Sequence, residues 1–101
     1  NNGATNNLEN VIQKKTLKDM WTVTESIPEY KISLGLAWWI FDNSDLGRYI
    51  CHFGNNPGFC SILFIFPEQN FGINILCNGM FAQEAVYNKM PLEIAGLLLK
   101  K

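Results

Sequence analysis

Phe59-Cys60-Ser61-Ile62-Leu63-Phe64-Ile65-Phe66 is apolar at nearly every position. In a short run bounded by Pro57-Gly58 and Pro67, unbroken apolarity predicts a β-strand covered on both faces. That requirement constrains the rest of the fold, because a chain of 101 residues has few elements with which to build two covers. A domain of this size buries only about two-thirds of the surface its unfolded chain exposes.

The neighbouring segments read as further strands. Leu34-Gly35-Leu36-Ala37-Trp38-Trp39-Ile40-Phe41 is aromatic-rich and ends at Asp42-Asn43-Ser44-Asp45, which predicts a strand and a hairpin loop. Arg48 to Phe53 follows as the next strand, and Asn55-Asn56-Pro57-Gly58 is a turn by composition. Pro67-Glu68-Gln69-Asn70 turns the chain again before a last strand, Phe71 to Cys77, which Asn78-Gly79 ends. Ile27-Pro28-Glu29 reads as a connector, since the residue before a proline is pushed out of the helical region.

Helices are expected at both ends. Thr16 as cap with Asp19 three residues on predicts a short helix from about Thr16 to Trp21. From Phe81 to Lys101 the pattern is helical, with Val86, Met90, Ile94 and Leu97 on one side, and Pro91 either kinks that helix or starts a second one. The expected fold class is therefore α+β, an antiparallel sheet of about four strands with a short N-terminal and a long C-terminal helix packed on it. One long and one short helix do not cover both faces of the apolar strand. On that ground residues 1–101 are expected to be a single partial domain of a larger layered one. The start, Asn1-Asn2-Gly3-Ala4-Thr5-Asn6-Asn7, reads as a loop and has neither the basic nor the apolar region of a signal peptide.

Composition narrows the function. Hydrophobic residues make up 48% and aromatics 13%, which excludes intrinsic disorder and leaves a dense core or a face made to pack on something else. Exposed apolar surface around Trp38, Trp39 and the Val86, Met90, Leu97 face is expected to drive self-association. Eight Lys and Arg against nine Asp and Glu give a formal net charge of −1 with no basic stripe, which argues against a nucleic-acid partner. Three cysteines, an odd number, argue against a closed disulfide framework. Were Asn55 to Gly58 to close a hairpin, Cys51 and Cys60 would be diagonal neighbours roughly 7–8 Å apart, beyond the 5.5–6 Å a bridge prefers, so free and mostly buried thiols are expected. No metal site is expected either. Cys51 and His52 are adjacent and point to opposite faces of a strand, and there is no C-x-x-C pair.

The chemistry-bearing stretch is His52-Phe53-Gly54, at a strand end beside a turn and containing the only histidine. Nucleophilic catalysis needs a nucleophile, a base and N–H donors aimed at a developing oxyanion. A histidine and an exposed strand backbone supply part of that set, and a glycine lets substrate approach the backbone closely. The serines Ser26, Ser33, Ser44 and Ser61 lie in neither G-x-S-x-G nor S-x-x-K, and no phosphate-cradling glycine loop occurs. Asp42 and Asp45 flank a predicted turn and read as solvent-exposed turn residues rather than a catalytic pair. From the residues alone, half a catalytic site and a polar residue on a strand remain alternatives.

His52-Phe53-Gly54-Asn55-Asn56-Pro57-Gly58-Phe59-Cys60-Ser61, then Phe66-Pro67-Glu68, then Phe71 to Gly79, resembles the C-terminal part of the serine β-lactamase-related hydrolases. These comprise class C β-lactamases, D-alanyl-D-alanine carboxypeptidases, D-aminopeptidases and esterases, and they typically read H-T-G-G-x-P-G-F-x-S here. Leu34-Gly35-Leu36-Ala37-Trp38 is similar to the family's G-L-G-W strand, and Asn2-Gly3 with Thr16 to Met20 resembles the loop and short helix before it. The resemblance implies a β-lactamase/transpeptidase-like fold without a cofactor. It implies that His52, Phe53 and Gly54 line a small-molecule or peptide substrate as the K-T-G or H-x-G strand. Asn55 would donate its backbone N–H to the oxyanion hole, and His52 would lend polar or positive character near a substrate carboxylate or the catalytic tyrosine. The family's S-x-x-K and Y-x-N motifs lie N-terminal and are not in this sequence, so the implied partner is the N-terminal part of the parent, and the chain alone is expected to be inactive. A parent that follows the family would sit in the bacterial cell envelope or be secreted. Phe53 stands where the family has Thr or Ser, and Asn55 where it usually has Gly. A non-catalytic module that binds a peptide or partner by strand addition is the alternative implication.

Overall fold

The computed structural model describes residues 11–79 and 82–99. The expected Asn2-Gly3 loop and both ends of the expected Phe81–Lys101 helix lie outside these residues. The fold class is α+β, with six strands where about four were expected, every described pairing between them antiparallel, and helices toward both ends. The chain divides into two compact units between Phe41 and Asp42.

In the first unit, α1 (Lys14–Met20) starts earlier than the Thr16 cap predicted. Gln13 is the capping residue, with no side-chain hydrogen bond, and Leu17 N–H donates to its carbonyl at 3.1 Å. Lys14 and Lys15 are good helix formers that carry the helix two residues upstream of Thr16, and Leu17 is its buried residue. The Ile27-Pro28-Glu29 connector joins two strands that were not expected, β1 (Glu25–Ile27) and β2 (Ile32–Leu34), which pair as a hairpin in register Ser26↔Ser33. Pro28–Tyr30 forms a 3-10 turn closed by Lys31 at φ 56°.

The expected Leu34–Phe41 strand is broken. Gly35 N–H donates to the Trp38 carbonyl at 2.9 Å, Ala37 sits at φ 62°, and the strand resumes as β3 (Trp39–Asn43). Gly35 is required because a Cβ there would collide with the Met20 carbonyl oxygen, while Leu36 N–H donates to that same carbonyl at 2.9 Å. Local chain reversal outcompetes the strand propensity of the aromatic run, and it buries Ile40.

The second unit carries the functional candidates. β4 (Gly47–Asn56), β5 (Phe59–Phe66) and β6 (Phe71–Cys77) form an antiparallel meander. The turn is narrower than expected, because Asn55 and Asn56 stay in β4 and only Pro57-Gly58 reverses the chain, with Gly58 at φ 85°. Proline first and a positive-φ glycine second is the type II pattern. Pro67–Gln69 repeats the 3-10 turn of Pro28–Tyr30, with Asn70 at φ 50° in place of Lys31.

Cys60, Ile62, Phe64 and Phe66 of β5 are buried, whereas Phe59 is 60% exposed and Leu63 36%. The apolar strand is thus covered fully on one face only within the described residues. The covered face packs Tyr49 on Phe64 at 5.0 Å and on Phe66 at 5.6 Å between ring centroids.

The C-terminal helix differs from expectation in its phase. Ala85–Lys89 is a π-helical turn that runs into α2 (Met90–Leu99), with Pro91 at the second position of α2. Proline cannot donate to the turn above it, and the widened π turn accommodates that loss. Widening inserts a residue into the repeat, so the buried side is Val86, Pro91 and Ala95, while Leu97 is 81% exposed and Met90 41%. The regular spacing expected for Val86, Met90, Ile94 and Leu97 is broken by that extra residue.

Candidate functional site

β4 is buried from Tyr49 to Cys51 and exposed from His52 to Asn56. All the candidate residues His52, Phe53, Gly54 and Asn55 therefore lie together on its outer half. They are held in register with β5, His52↔Leu63, Phe53↔Ile62, Gly54↔Ser61 and Asn55↔Cys60. Because a two-residue turn joins Asn56 to Phe59, that flanking pair exchanges both ladder hydrogen bonds, and the pattern alternates outward from it. Gly54 and His52 hence direct N–H and C=O toward β5, while Asn55 and Phe53 direct theirs to the opposite edge of β4. Side chains alternate too, so Cys51 is buried in the core and His52 lies exposed on the other face.

Gly54 is closely approached from β5. A Cβ there would sit 2.8 Å from Ser61 Oγ, its cross-strand neighbour. The carbonyl of Gly54 accepts a hydrogen bond from the Tyr87 hydroxyl at 2.7 Å, and the Tyr87 ring stacks on Phe53 at 5.0 Å with 23° between planes. Tyr87 belongs to the π-helical turn, which thereby clamps the His52-Phe53-Gly54 segment by one polar and one aromatic contact. Sequence reading missed Tyr87 because 33 residues separate it from Gly54 and nothing local marks the contact. Burial and the neighbouring Cys60 raise its phenol above the ordinary value.

Beside this clamp a cavity of about 590 Å³ opens at the tip of the β4–β5 hairpin. It is lined by Gly54, Asn55, Phe59, Cys60, Leu76 and Cys77 among others, and its size falls in the range of small-molecule sites. Asn55, Cys60 and Cys77 form one row across β4, β5 and β6, since each is the cross-strand partner of the next. The diagonal Cys51–Cys60 arrangement is replaced by this one. Cys51 lies opposite Phe64, four positions along from Cys60, and Cys60 instead faces Cys77.

The remaining carboxylates play another part. Asp42 is in a bidentate pair with Arg48, at 2.8 and 3.1 Å, and the hydrogen bond to the guanidinium holds its carboxyl below the usual range. Asn43 Oδ1 accepts from the N–H groups of Asp45 and Leu46, both at 2.9 Å, which closes the turn between β3 and β4. These contacts shape a hairpin rather than a reacting centre.

No curated protein and no solved structure gives a significant match to the chain. A family model described as Beta-lactamase matches residues 2–96, a span that contains the His52-x-Gly54 strand, its hairpin and the π-helical turn that clamps it. The chain belongs to the beta-lactamase family.

Proposed function

We propose that this chain supplies the substrate-lining strand of a serine hydrolase that works through an acyl-enzyme on a β-lactam, a D-amino-acid peptide or an ester. The observation that carries the reading is the direction of the Asn55 backbone, away from β5 at the exposed end of a strand otherwise locked in register. In this role Asn55 N–H and the N–H of the nucleophilic serine together receive the oxyanion of the tetrahedral intermediate. Phe53, whose backbone shares that edge, pairs with an extended substrate as an added strand, and Gly54 leaves room for it. His52 supplies polarity near the substrate carboxylate.

The serine and lysine of S-x-x-K and the tyrosine of Y-x-N come from the N-terminal part of the parent, since the sequence of 101 residues holds neither motif. That part also covers the open face of β5 around Phe59 and Leu63. The isolated chain, on this reading, turns over nothing and self-associates through its uncovered apolar surface.

The test is labelling of the full-length gene product with a fluorophosphonate and with a fluorescent penicillin. One serine, in S-x-x-K, is expected to be labelled, and the 101-residue chain should stay unlabelled. A full-length product that lacks S-x-x-K and Y-x-N ends the enzymatic reading. Within an active parent, Asn55→Pro removes the N–H in question while also fixing φ, and should lower acylation by about 10²–10³-fold, whereas Asn55→Gly keeps the N–H and should leave acylation near wild type.

Phe53 favours a second reading. An aromatic ring that is 39% exposed and stacked on Tyr87 suits a non-catalytic module that recognises peptides by strand addition. Failure of the chain to retain peptidoglycan peptides or any protein in a pull-down would remove it.

A further inference from the structure

Cys60 and Cys77 are direct cross-strand partners. The alternation that turns Asn55 away from β5 makes Cys60 direct its own backbone toward β6, so Cys60 and Cys77 are a hydrogen-bonded pair with Cα atoms about 5.5 Å apart. Disulfides bridge Cα separations of about 4.4–6.8 Å. The two thiols also converge on one acceptor, as Cys60 Sγ donates to the Gly79 carbonyl at 3.4 Å and Cys77 Sγ donates to it at 3.8 Å.

Access is provided by the cavity, which both cysteines line. Cys77 is half-buried and Cys60 buried, so a reagent in the cavity meets Cys77 first. Cys51 is excluded, since it is buried and four residues along the ladder from the Cys60 row, about 13 Å away.

We propose that Cys60 and Cys77 are a dithiol modification site that a small soluble disulfide, such as oxidised glutathione, converts to an intramolecular bridge between β5 and β6. The Cys77 thiolate attacks one sulfur of the reagent and expels one thiolate, which leaves a mixed disulfide. The Cys60 thiolate then attacks the Cys77 sulfur and expels the second. Two protein thiols are oxidised, one reagent disulfide is reduced to two thiols, and the two protons end on the departing thiolates. Burial holds the Cys60 thiol above its ordinary pKa, with Cys77 as the next cause. The site is independent of the acyl-transfer reading, and it stands or falls separately.

The test is exposure of the folded chain to oxidised glutathione, followed by denaturation, alkylation of remaining thiols, intact mass and peptide mapping. The expected product has lost two hydrogens, carries one alkylated cysteine, Cys51, and yields a linked Cys60–Cys77 peptide that dithiothreitol separates. Cys51→Ser should form the bridge at the wild-type rate. Cys60→Ser should stop at a glutathione adduct on Cys77. Three alkylated cysteines, a persistent glutathione adduct on the wild-type chain, an intermolecular bridge, or any bridge to Cys51 would each overturn the proposal.

Discussion

The inner and outer halves of β4 share one backbone and one ladder, yet they live in different solvents. Tyr49, Ile50 and Cys51 are buried, and His52 to Asn56 are exposed, although the pairing with β5 continues without interruption from Ile50 to Asn56. Register alone therefore does not make a core. What differs is the cover, since Tyr49 of the inner half packs on Phe64 and Phe66, while the outer half is exposed and meets Tyr87 through Phe53 and the Gly54 carbonyl. The inner half supplies stability, and the outer half is held as a rigid but accessible edge, the arrangement a binding or catalytic strand requires.

The largest expected effect lies in the inner half. Tyr49→Ala should destabilise the chain by about 3–5 kcal/mol, and Ile50→Ala by about 2–5 kcal/mol, in urea unfolding. His52→Ala should change stability by no more than about 0.5 kcal/mol. Equal costs for Ile50 and His52 would break the contrast.

Alkaline pH should separate the halves next. Burial raises the Cys51 thiol from 9.0 to about 12 and Tyr49 from 10.0 to about 12, so both stay neutral in the folded state after they have ionised in the unfolded one. Their contribution is complete below pH 9 and is lost as pH rises from 9 toward 12. Urea midpoints measured from pH 7 to 11 should fall, and Cys51→Ala should make the decline shallower. A decline unchanged by that substitution would remove Cys51 from its cause.

In the outer half, Gly54→Ala should cost about 1–3 kcal/mol through its approach to Ser61 Oγ, with most of it recovered in the Gly54→Ala, Ser61→Ala double variant. Tyr87→Phe should cost about 0.5–1.5 kcal/mol, because it removes the hydrogen bond to Gly54 and keeps the ring on Phe53. Faster amide exchange at Gly54 and Asn55 in this variant would sharpen the view that Tyr87 stiffens the strand end, and unchanged exchange would contradict it. The smallest effect is at the turn, where Arg48→Ala should cost at most about 1 kcal/mol because the ion pair is exposed. Asp42 titrates below its unfolded value. The pair's contribution is therefore present above about pH 4 and lost as the medium becomes more acid, which an acid titration of the urea midpoint with and without Arg48 would detect.

Much of the second unit was legible because its signals are local. Pro57-Gly58 and Pro67 to Asn70 punctuate the chain by their own backbone preferences, and the apolar β5 between them has no alternative to a strand. Counting outward from the Pro67–Asn70 turn would have paired Phe66 with Phe71 and hence Cys60 with Cys77. Likewise Pro28-Glu29-Tyr30-Lys31 repeats the Pro67 pattern and closes a hairpin in the same way, a signal that the short and polar β1 obscured. The break at Gly35 and the π turn before Pro91 carry no such mark, because each answers a constraint set elsewhere in the fold.

By itself the sequence determined where the chain turns, the strand identity of β5 and β6, and the place of His52 and Phe53 on a strand, all of which follow from backbone preferences and two-residue periodicity over a few neighbours; that the strand runs on through Gly54 to Asn56 did not follow from them. Tertiary structure alone decided where burial stops along β4, which face the C-terminal helix presents, and that Tyr87 reaches Gly54. Those outcomes depend on contacts between residues far apart in the chain, whose energies exist only once the chain has closed around them.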